Sequence, residues 1–319
     1  MRVGVTEDLR GADGRCAYDL SLLDERADVD WEWMRGEGEL EPADLAPYDA
    51  IVLFHPEVTA ASLRGAERLR MIARLGVGVD NIDVTACTAA GVLVTVTPDS
   101  VRRPMASGGM AFVLALAHRL TEMDRHVRAG GWDRFAHVGV GLDGRTLGIV
   151  GLGNVGRELA MLARSFGLRI LAADPFVTEP PEEIELAPLD ALLAAADFVV
   201  VTCPLTEETY HLLDAERLAL MKPTAYVVNI ARGPIVDNAA LAGALASGGL
   251  AGAALDVFEP EPARADDPLL ALENVILAPH AVGLTDELFR LGGRSACRAI
   301  LAVGDGRVPE FPLNPAALR

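Results

Sequence analysis

The amino-acid sequence predicts an α/β protein with two doubly wound parallel-sheet domains. Short apolar runs recur along the 319-residue chain and alternate with helical stretches. This alternation is the pattern of parallel strands joined by crossover helices. A glycine-rich segment at 151–156 follows one apolar run and opens a helical stretch, as expected for a tight strand-to-helix turn. The chain is longer than one small core requires, so two domains are expected.

The first hundred residues alternate predicted strands with polar or alanine-rich helical stretches. Strands are predicted at 2–5, 50–54, 71–75 and 92–96, with a further strand and turn over 30–40. Trp31 and Trp33 alternate in that last segment, so we expect them to pack rather than to bind a ligand.

A long helix over 105–120 is predicted after a crossing between domains at 98–104, with Pro104 in its first turn. The pair Gly108 and Gly109 weakens such a helix by about 1 kcal/mol per glycine unless another backbone packs closely there. A second subunit would supply that packing, so the 101–120 region is the expected interface of a homodimer.

A second α/β series begins at residue 146. Strands are predicted at 146–150, 168–174, 196–204, 225–233, 250–258 and 274–280. Each is a near-continuous apolar run, as burial on both faces of a sheet requires. Helices are predicted over 188–196 and 238–248, the latter ending at the glycine pair 248–249. The acidic, proline-rich stretch 175–188 is expected to be a surface loop, and 306–319 an extended tail.

The charge balance and the cysteines exclude several classes of partner. The chain has 46 acidic and 28 basic residues, a formal charge of −18, which disfavours nucleic acid and anionic membranes. No apolar run approaches the roughly 18 residues of a membrane span. The first ten residues lack the pattern of a secretory signal, so a cytoplasmic protein is expected. The four cysteines are scattered without a C-x-x-C pair, which predicts neither a metal centre nor a disulfide framework.

The glycine segment has the spacing of a dinucleotide-binding turn. Gly151 suits the tight turn, Gly153 lets a pyrophosphate approach the backbone, and Gly156 permits close packing of helix on strand. The following helix N-terminus offers unpaired N–H groups to the phosphates. Asp174 comes 18 residues later, at the end of the next predicted strand, where a carboxylate accepts from ribose hydroxyls and repels a 2′-phosphate. The next two residues supply no compensating cation, so NAD is predicted rather than NADP.

Three ionisable residues follow later strands of the same series, namely Arg232, Glu261 and His280. Because the carboxyl ends of parallel strands face the cofactor crevice, these residues can converge although the chain separates them. Hydride transfer at an α-carbon needs a carboxylate clamp, a proton donor and a group that tunes the donor. The arginine fork suits the first, the histidine suits the second, and the glutamate suits the third. Each alone could be a surface charge or a strand cap, but together behind a nucleotide motif they predict catalysis.

Six motifs across nearly the whole chain resemble those of the D-isomer-specific 2-hydroxyacid dehydrogenases. They are GVGVDNID at 76–83, GLGNVG at 151–156, PLTEETYHLL at 204–213, VNIARGPIVDNAAL at 228–241, ALDVFEPEP at 254–262 and APHAVG at 278–283. This family includes glyoxylate/hydroxypyruvate reductases, D-lactate dehydrogenases and 3-phosphoglycerate dehydrogenases. The resemblance implies a Rossmann NAD-binding domain at 101–284, inserted into a flavodoxin-like substrate domain formed by 1–100 and 285–319.

The resemblance also implies the activity, an NAD-dependent interconversion of a small 2-oxo acid and its D-2-hydroxy acid. It assigns the acid/base role to His280, the partner of that histidine to Glu261, and the substrate clamp and carbonyl polariser to Arg232. Substrate would be bound by Val77, Gly78, Arg232, His280 and, as a further candidate, His55. The cofactor would be bound by Gly151, Gly153, Asn154, Val155, Gly156, Asp174, Pro175, Thr202, Cys203, Pro204, Thr209, Ile230, Ala231, Arg232, Asp256, His280 and Gly283.

The sequence departs from the family pattern at two positions. Ser107 stands where relatives often carry an acidic residue at the start of the interdomain helix, and Thr202 stands where they often have a histidine. Arg102 and Arg103 either meet a second anionic group of the substrate or flank the helix on the surface.

Two alternatives to 2-oxo acid reduction remain. One is a nicotinamide-sensing, non-catalytic protein of the same fold, similar to the corepressors that resemble this family; the acidic surface argues against it. The other is a dehydrogenase of the same fold that acts on phosphite or formate. Phosphite-oxidising relatives carry a lysine near the substrate loop, and the stretch ARLGVGVD at 73–80 has none.

Overall fold

The computed structural model describes residues 1–318, which fold as two compact units. The first consists of Met1–Val101 together with the chain from Leu284 onward. The second is Arg102–Gly283. All strand pairings in both units are parallel, which confirms the predicted fold class.

The sheet of the first unit has five strands in the order β2-β1-β3-β4-β5. The elements are β1 (Arg2–Thr6), α1 (Ser21–Asp24), β2 (Asp30–Met34), α2 (Pro42–Leu45), β3 (Ala50–Leu53), β4 (Met71–Arg74), α3 (Val84–Ala89) and β5 (Leu93–Thr95). The central strand β3 is buried at every position, as its unbroken apolar run predicts. On the edge strand β2, the rings of Trp31 and Trp33 pack edge to face with centroids 5.5 Å apart, as predicted.

The sheet of the second unit has seven strands in the order β12-β11-β10-β9-β6-β7-β8. After α4 (Pro98–Ala117) and α5 (Leu120–Arg128), the elements are β6 (Thr146–Val150), α6 (Asn154–Arg164), β7 (Arg169–Ala173), β8 (Ile184–Leu186), α7 (Leu189–Ala195), β9 (Phe198–Val201), α8 (Ala215–Leu218), β10 (Tyr226–Asn229), α9 (Asn238–Ala246), β11 (Gly252–Leu255) and β12 (Val275–Leu277). The last long helix, α10 (Asp286–Gly304), belongs to the first unit. Short 3-10 turns occur at Glu7–Leu9, Gly233–Ile235, Pro268–Ala271 and Pro315–Ala317.

Helix α4 corrects the predicted crossing at 98–104. The helix begins at Pro98, so Pro104 lies inside it rather than in its first turn. A proline in a helix removes a single N–H donor, and here the helix continues on both sides of it. The predicted helix over 105–120 also ends early, at Ala117. Arg119 has a left-handed φ of 52°, which separates α4 from α5.

The glycine pair of α4 packs against residues of its own chain, so the prediction that a second subunit packs there is not needed to explain it. A Cβ on Gly108 would lie 2.7 Å from a methyl of Val282, and a Cβ on Gly109 would lie 2.9 Å from a methyl of Ile230. Both neighbours belong to the same unit, so no second subunit is needed to explain these glycines.

A further correction concerns the stretch 175–188, which contains the short edge strand β8 rather than only a loop.

Candidate active site

The carboxyl ends of six neighbouring strands lie in register along one edge of the seven-stranded sheet. Val150 at the end of β6 lies opposite Ala173 of β7 and Val201 of β9. The row continues through Asn229 of β10 and Leu255 of β11 to β12. The loops that follow these strands therefore open at the same edge, and they carry the predicted cofactor and catalytic residues of this unit.

The first of these loops, 151–156, has the shape of a nucleotide-binding turn. Gly151 has a φ of 97°, and a Cβ there would lie 2.6 Å from the backbone N of Cys203. A Cβ on Gly156 would collide with the carbonyl oxygen of Gly151. A Cβ on Gly153 would meet no described heavy atom within 4 Å, so the backbone is open to a ligand there. These three environments fit the pyrophosphate of a dinucleotide at the start of α6.

Asp174 directly follows β7 and closes the glycine turn from the side. Its carboxylate accepts from the backbone N–H of Leu152 at 2.7 Å and of Phe176 at 2.9 Å. Each carboxylate oxygen can accept further hydrogen bonds, so the group fits the hydroxyls of an adenosine ribose. The hydroxyl of Thr202 donates to the carbonyl of Gly151 at 2.6 Å, which joins the loop after β9 to the glycine turn after β6.

The segment after β9 forms a compact turn beside this loop. The backbone N–H of Thr206 donates to the hydroxyl of Thr209 at 2.7 Å, and that hydroxyl donates to the carbonyl of Pro204 at 2.8 Å. Cys203 is buried, and burial raises the pKa of its thiol to about 11. The thiol therefore stays protonated near neutral pH and acts as an apolar wall.

His280 and Glu261 form a hydrogen-bonded pair. Nδ1 of His280 lies 2.7 Å from Oε2 of Glu261. The other oxygen of Glu261 accepts from the backbone N–H of Phe258 at 3.0 Å. Burial raises the pKa of the Glu261 carboxyl, but the hydrogen bonds from His280 and Phe258 and the charge of Arg232 outweigh it and hold the pKa below its ordinary value. The carboxylate can only accept, so Nδ1 carries a proton and Nε2 is the ring nitrogen left for substrate.

Asp256 fixes the backbone that carries His280. The histidine has a left-handed φ of 53°, a conformation rare outside glycine that persists only where the surroundings hold it. The N–H of His280 donates to the carbonyl of Asp256 at 2.7 Å. The N–H groups of Ala281 and Val282 donate to the buried Asp256 carboxylate at 2.8 and 3.0 Å. Burial and the nearby Glu261 raise the pKa of Asp256 despite these bonds.

Arg232 is presented by a turn that Asn229 shapes. The buried side chain of Asn229 donates to the carbonyl of Arg232 at 2.8 Å and accepts from the N–H of Ala231 at 3.0 Å. A Cβ on Gly233 would collide with the carbonyl oxygen of Phe258, so this turn packs directly on the loop that carries Glu261. The structure thus brings Arg232, Glu261 and His280 to one edge of one unit.

The remaining predicted substrate residues belong to the first unit. Val77 and Gly78 lie in the loop after β4, and Val77 is about half exposed. The side chain of Asn81 ties this loop to the end of β3, donating to the carbonyl of Phe54 at 3.0 Å and of Pro56 at 2.8 Å. His55 lies there, with Nδ1 3.1 Å from the carboxylate of Asp8.

The structure gives local contacts for Ser107, one of the two departures from the family pattern, and for the pair Arg102 and Arg103. The hydroxyl of Ser107 donates to the carbonyl of Pro104 at 2.9 Å, within α4. Arg103 donates to the largely buried carboxylate of Glu158 on α6 at 2.6 Å, and Arg102 lies 3.6 Å from the same carboxylate. These arginines therefore brace α4 against α6 and are about half exposed.

Sequence reasoning did not find Asn229, Asp8 or the contacts of Glu259. Asn229 and Asp8 each have a signal in the sequence. Asn229 interrupts a buried apolar run, and Asp8 follows β1 at the same kind of strand end that carries the other functional residues. Glu259 was hidden because the motif FEPEP at 258–262 offers two glutamates, and only the geometry shows that Glu261 contacts His280 whereas Glu259 contacts His211.

Comparison with known proteins identifies the family. The protein-family model described as "D-isomer specific 2-hydroxyacid dehydrogenase, NAD binding domain" matches residues 110–282. A glyoxylate reductase of Korarchaeum cryptofilum is 42% identical over 279 residues, which are 85% of this chain and 84% of that protein. A crystal structure from Thermus thermophilus superposes with a TM-score of 0.87 at 36% identity, covering 98% of this chain and 100% of the other.

A D-lactate dehydrogenase from Aquifex aeolicus, solved with NAD and lactic acid, superposes with a TM-score of 0.84 at 26% identity, covering 98% of this chain and 99% of the other. The family match includes every second-unit loop described above, from the glycine turn to His280. The chain carries the NAD-binding domain of an oxidoreductase, and it belongs to the D-isomer-specific 2-hydroxyacid dehydrogenase family.

Proposed function

We propose that the protein reduces a small 2-oxo acid to its D-2-hydroxy acid with NADH, and that His280, Glu261 and Arg232 carry the reaction. The observation that supports this most directly is the 2.7 Å pair of His280 and Glu261, at the strand edge that carries the glycine turn. When NADH is bound at the glycine turn, its nicotinamide would supply the hydride that the carbonyl carbon of the substrate requires. The proton balance then requires one donor for the carbonyl oxygen, and the structure offers Nε2 of His280.

Each catalytic residue has a defined task in this proposal. Nε2 of protonated His280 donates a hydrogen bond to the carbonyl oxygen and transfers its proton as the alkoxide forms. Glu261 orients the ring through Nδ1 and stabilises the imidazolium with its negative charge. The guanidinium of Arg232 pairs with the substrate carboxylate and polarises the carbonyl. The reverse reaction uses the same groups, with neutral His280 accepting the hydroxyl proton.

We further propose that the backbone N–H groups of Val77 and Gly78 bind the substrate carboxylate, and that His55 faces the rest of the substrate. The tie between this loop and β3 through Asn81 supports a common substrate surface at that edge of the first unit. Asp8 would keep the His55 ring in place, because its carboxylate accepts from the backbone N–H of His55 at 2.8 Å and lies 3.1 Å from Nδ1 of the ring. Burial raises the pKa of this carboxyl, but the hydrogen bonds from His55 help to outweigh it, and the pKa is lowered.

The test is the loss of NADH absorbance at 340 nm against glyoxylate, hydroxypyruvate, pyruvate, 2-oxobutyrate and phenylpyruvate, repeated with NADPH. We expect turnover of at least one 2-oxo acid with NADH and a strong preference for NADH over NADPH, because Asp174 repels a 2′-phosphate. His280→Ala should lower kcat by about a thousandfold, the range of a general acid. A His280→Ala protein with near-full turnover would contradict the assignment. A wild type that binds NADH but reduces none of these acids would favour a sensor or another substrate.

A homodimer is the assembly that the surface supports. The segment from α5 to residue 138 exposes six large apolar side chains, namely Leu120, Met123, Val127, Trp132, Phe135 and Val138. Phe135 is 86% exposed, and several exposed large apolar side chains in one segment are typical of a subunit interface. Of the predicted 101–120 interface region, only the C-terminal end would take part in the dimer contact, because much of α4 is buried in its own unit. Light scattering should give twice the chain mass of 33.7 kDa, and a Trp132→Ser, Phe135→Ser double variant should run as a monomer.

We assign the protein to the cytoplasm, where the thiols of Cys16, Cys87, Cys203 and Cys297 would stay reduced. All four are free in the described chain. Within residues 1–318 no helix has both the length and the apolar character that a bilayer crossing requires.

A further inference from the structure

The loop that carries Glu261 is held at a second point by Glu259. The hydroxyl of Tyr210 donates to Oε1 of Glu259 at 3.2 Å, and Nε2 of His211 lies 3.0 Å from Oε2. Both carboxylate oxygens are therefore engaged by one dipeptide. The two rings of that dipeptide stack with centroids 4.1 Å apart and planes within 14°. Stacking fixes both polar atoms relative to each other, so Glu259 meets a preformed pair of partners.

The same dipeptide is anchored to the turn that follows Arg232. The backbone N–H of His211 donates to the carbonyl of Pro234 at 2.7 Å, and that of Leu213 donates to the carbonyl of Ile235 at 3.0 Å. His211 has a left-handed φ of 47°, which a non-glycine residue adopts only when its surroundings impose it. His211 thus contacts the Arg232 turn through its backbone and the Glu261 loop through its side chain.

The short distance along the chain between Glu259 and Glu261 connects the contacts of Glu259 to the position of the Glu261 carboxylate. Glu261 lies two residues after Glu259 and is itself joined to the backbone N–H of Phe258 at 3.0 Å. The loop from Phe258 to Glu261 is therefore fixed at its start by the hydrogen bond between Phe258 and Glu261 and at its middle by Glu259. Movement of Glu259 would shift the carboxylate that lies 2.7 Å from Nδ1 of His280.

We propose that His211, together with Tyr210, is a positioning residue that acts through Glu259 to keep Glu261 in hydrogen-bond contact with His280. The proposal rests on the function proposed above for the acid/base pair. The charged groups around His211 fit this task, since Asp237 lies 3.9 Å from Nδ1 and Glu259 lies 3.0 Å from Nε2. Glu259 accepts from the Nε2–H of His211, whereas Asp237 lies beyond hydrogen-bond distance of Nδ1 and adds only its charge.

The first test measures the geometry without using activity. The backbone amide of Phe258 reports on Glu261 because it donates to that carboxylate, so its hydrogen-exchange rate is followed by NMR. We expect exchange about tenfold faster in His211→Asn, where the side chain is too short to reach Glu259. Asparagine tolerates the left-handed backbone, so this variant keeps the fold of the turn. His211→Gln should restore slower exchange, because its amide can reach Glu259 and donate to it.

The second test measures catalysis on the same proteins. We expect His211→Asn and Glu259→Gln to lower kcat for 2-oxo acid reduction by about tenfold, since a small displacement of a catalytic group has effects of that order or larger. The dissociation constant for NADH should change by less than twofold. Glu182→Gln is the matched control, because Glu182 is an exposed glutamate of the loop before β8.

The two tests separate the two proposals. Unchanged exchange at Phe258 in His211→Asn and in Glu259→Gln would overturn the positioning role. A uniform loss of melting temperature, with equal rises in exchange across the unit and no rescue by His211→Gln, would also overturn it in favour of a purely structural role. A wild type without turnover of any 2-oxo acid would overturn the proposed function, while the exchange at Phe258 would still decide the tether.

Discussion

At Glu261, burial and charge act against each other. Burial raises the pKa of this carboxyl, but His280, the N–H of Phe258 and Arg232 lower it further, so the group is an anion at neutral pH. Glu261→Gln keeps the size of the side chain and removes the charge that stabilises the imidazolium. We expect a loss of kcat of ten- to a hundredfold, because the ring of His280 loses the carboxylate that orients it. Steady-state kinetics of 2-oxo acid reduction measures the loss.

The direction of the reaction gives a check on the same pair. Reduction requires protonated His280, whereas oxidation requires it neutral, so the optimum for reduction lies at lower pH than the optimum for oxidation. A reversed order of the two optima would contradict the role given to His280.

At the scale of elements, the glycine turn and α6 contain one glycine that we expect to matter for NADH binding and another that we expect to matter for stability. Gly153 and Gly156 are three residues apart in one turn, but a Cβ meets open space at the first and the carbonyl oxygen of Gly151 at the second. We expect Gly153→Ala to fold with an unchanged melting temperature and to bind NADH at least tenfold more weakly, because the added methyl occupies the approach to the backbone. Gly156→Ala should lose stability, because helix and strand must move apart.

Calorimetry and NADH fluorescence titration distinguish the two variants. Equal losses of melting temperature would contradict the difference between the two environments. Full NADH affinity in Gly153→Ala would place the pyrophosphate away from this loop.

The elements also show how far sequence reasoning reaches. Nearly continuous apolar runs predict the buried strands because both faces of a parallel sheet are covered. The start of α4 was missed because Pro104 indicated a helix beginning, whereas the helix already runs from Pro98. The glycines of α4 were noticed, but their neighbours Val282 and Ile230 lie far away in sequence, and no local pattern reveals such a contact. The Tyr210–Glu259 and His211–Glu259 contacts are hidden for the same reason.

At the scale of the whole chain, the 46 acidic residues make stability at low pH depend on which carboxylates have a lowered pKa in the folded protein. Among many carboxylates, Asp197 stands out because it directly precedes β9 and joins it to the start of β6 and to the segment between α8 and β10. It accepts from the N–H of Thr146 at 2.9 Å and from Lys222 at 3.0 Å, with Arg145 at 3.5 Å. Burial raises the pKa of this carboxyl, but these partners outweigh it, so the pKa in the folded protein lies below the ordinary value of 3.8.

A group whose pKa is lower in the folded state contributes stability above its unfolded pKa, and this contribution is lost as the pH falls through the folded pKa. Asp197→Asn should therefore lower the free energy of unfolding by about 2 kcal/mol at pH 7, the range of hydrogen bonds to a charged group. The difference from wild type should stay constant down to about pH 5 and shrink below pH 4. Urea unfolding followed by circular dichroism between pH 3 and 7 measures it.

Asp266→Asn is the control, because the exposed pair of Asp266 with Arg264 should contribute less than about 1 kcal/mol at any pH. A difference between wild type and Asp197→Asn that does not shrink below pH 4 would show that the ionisation of Asp197 does not stabilise the fold.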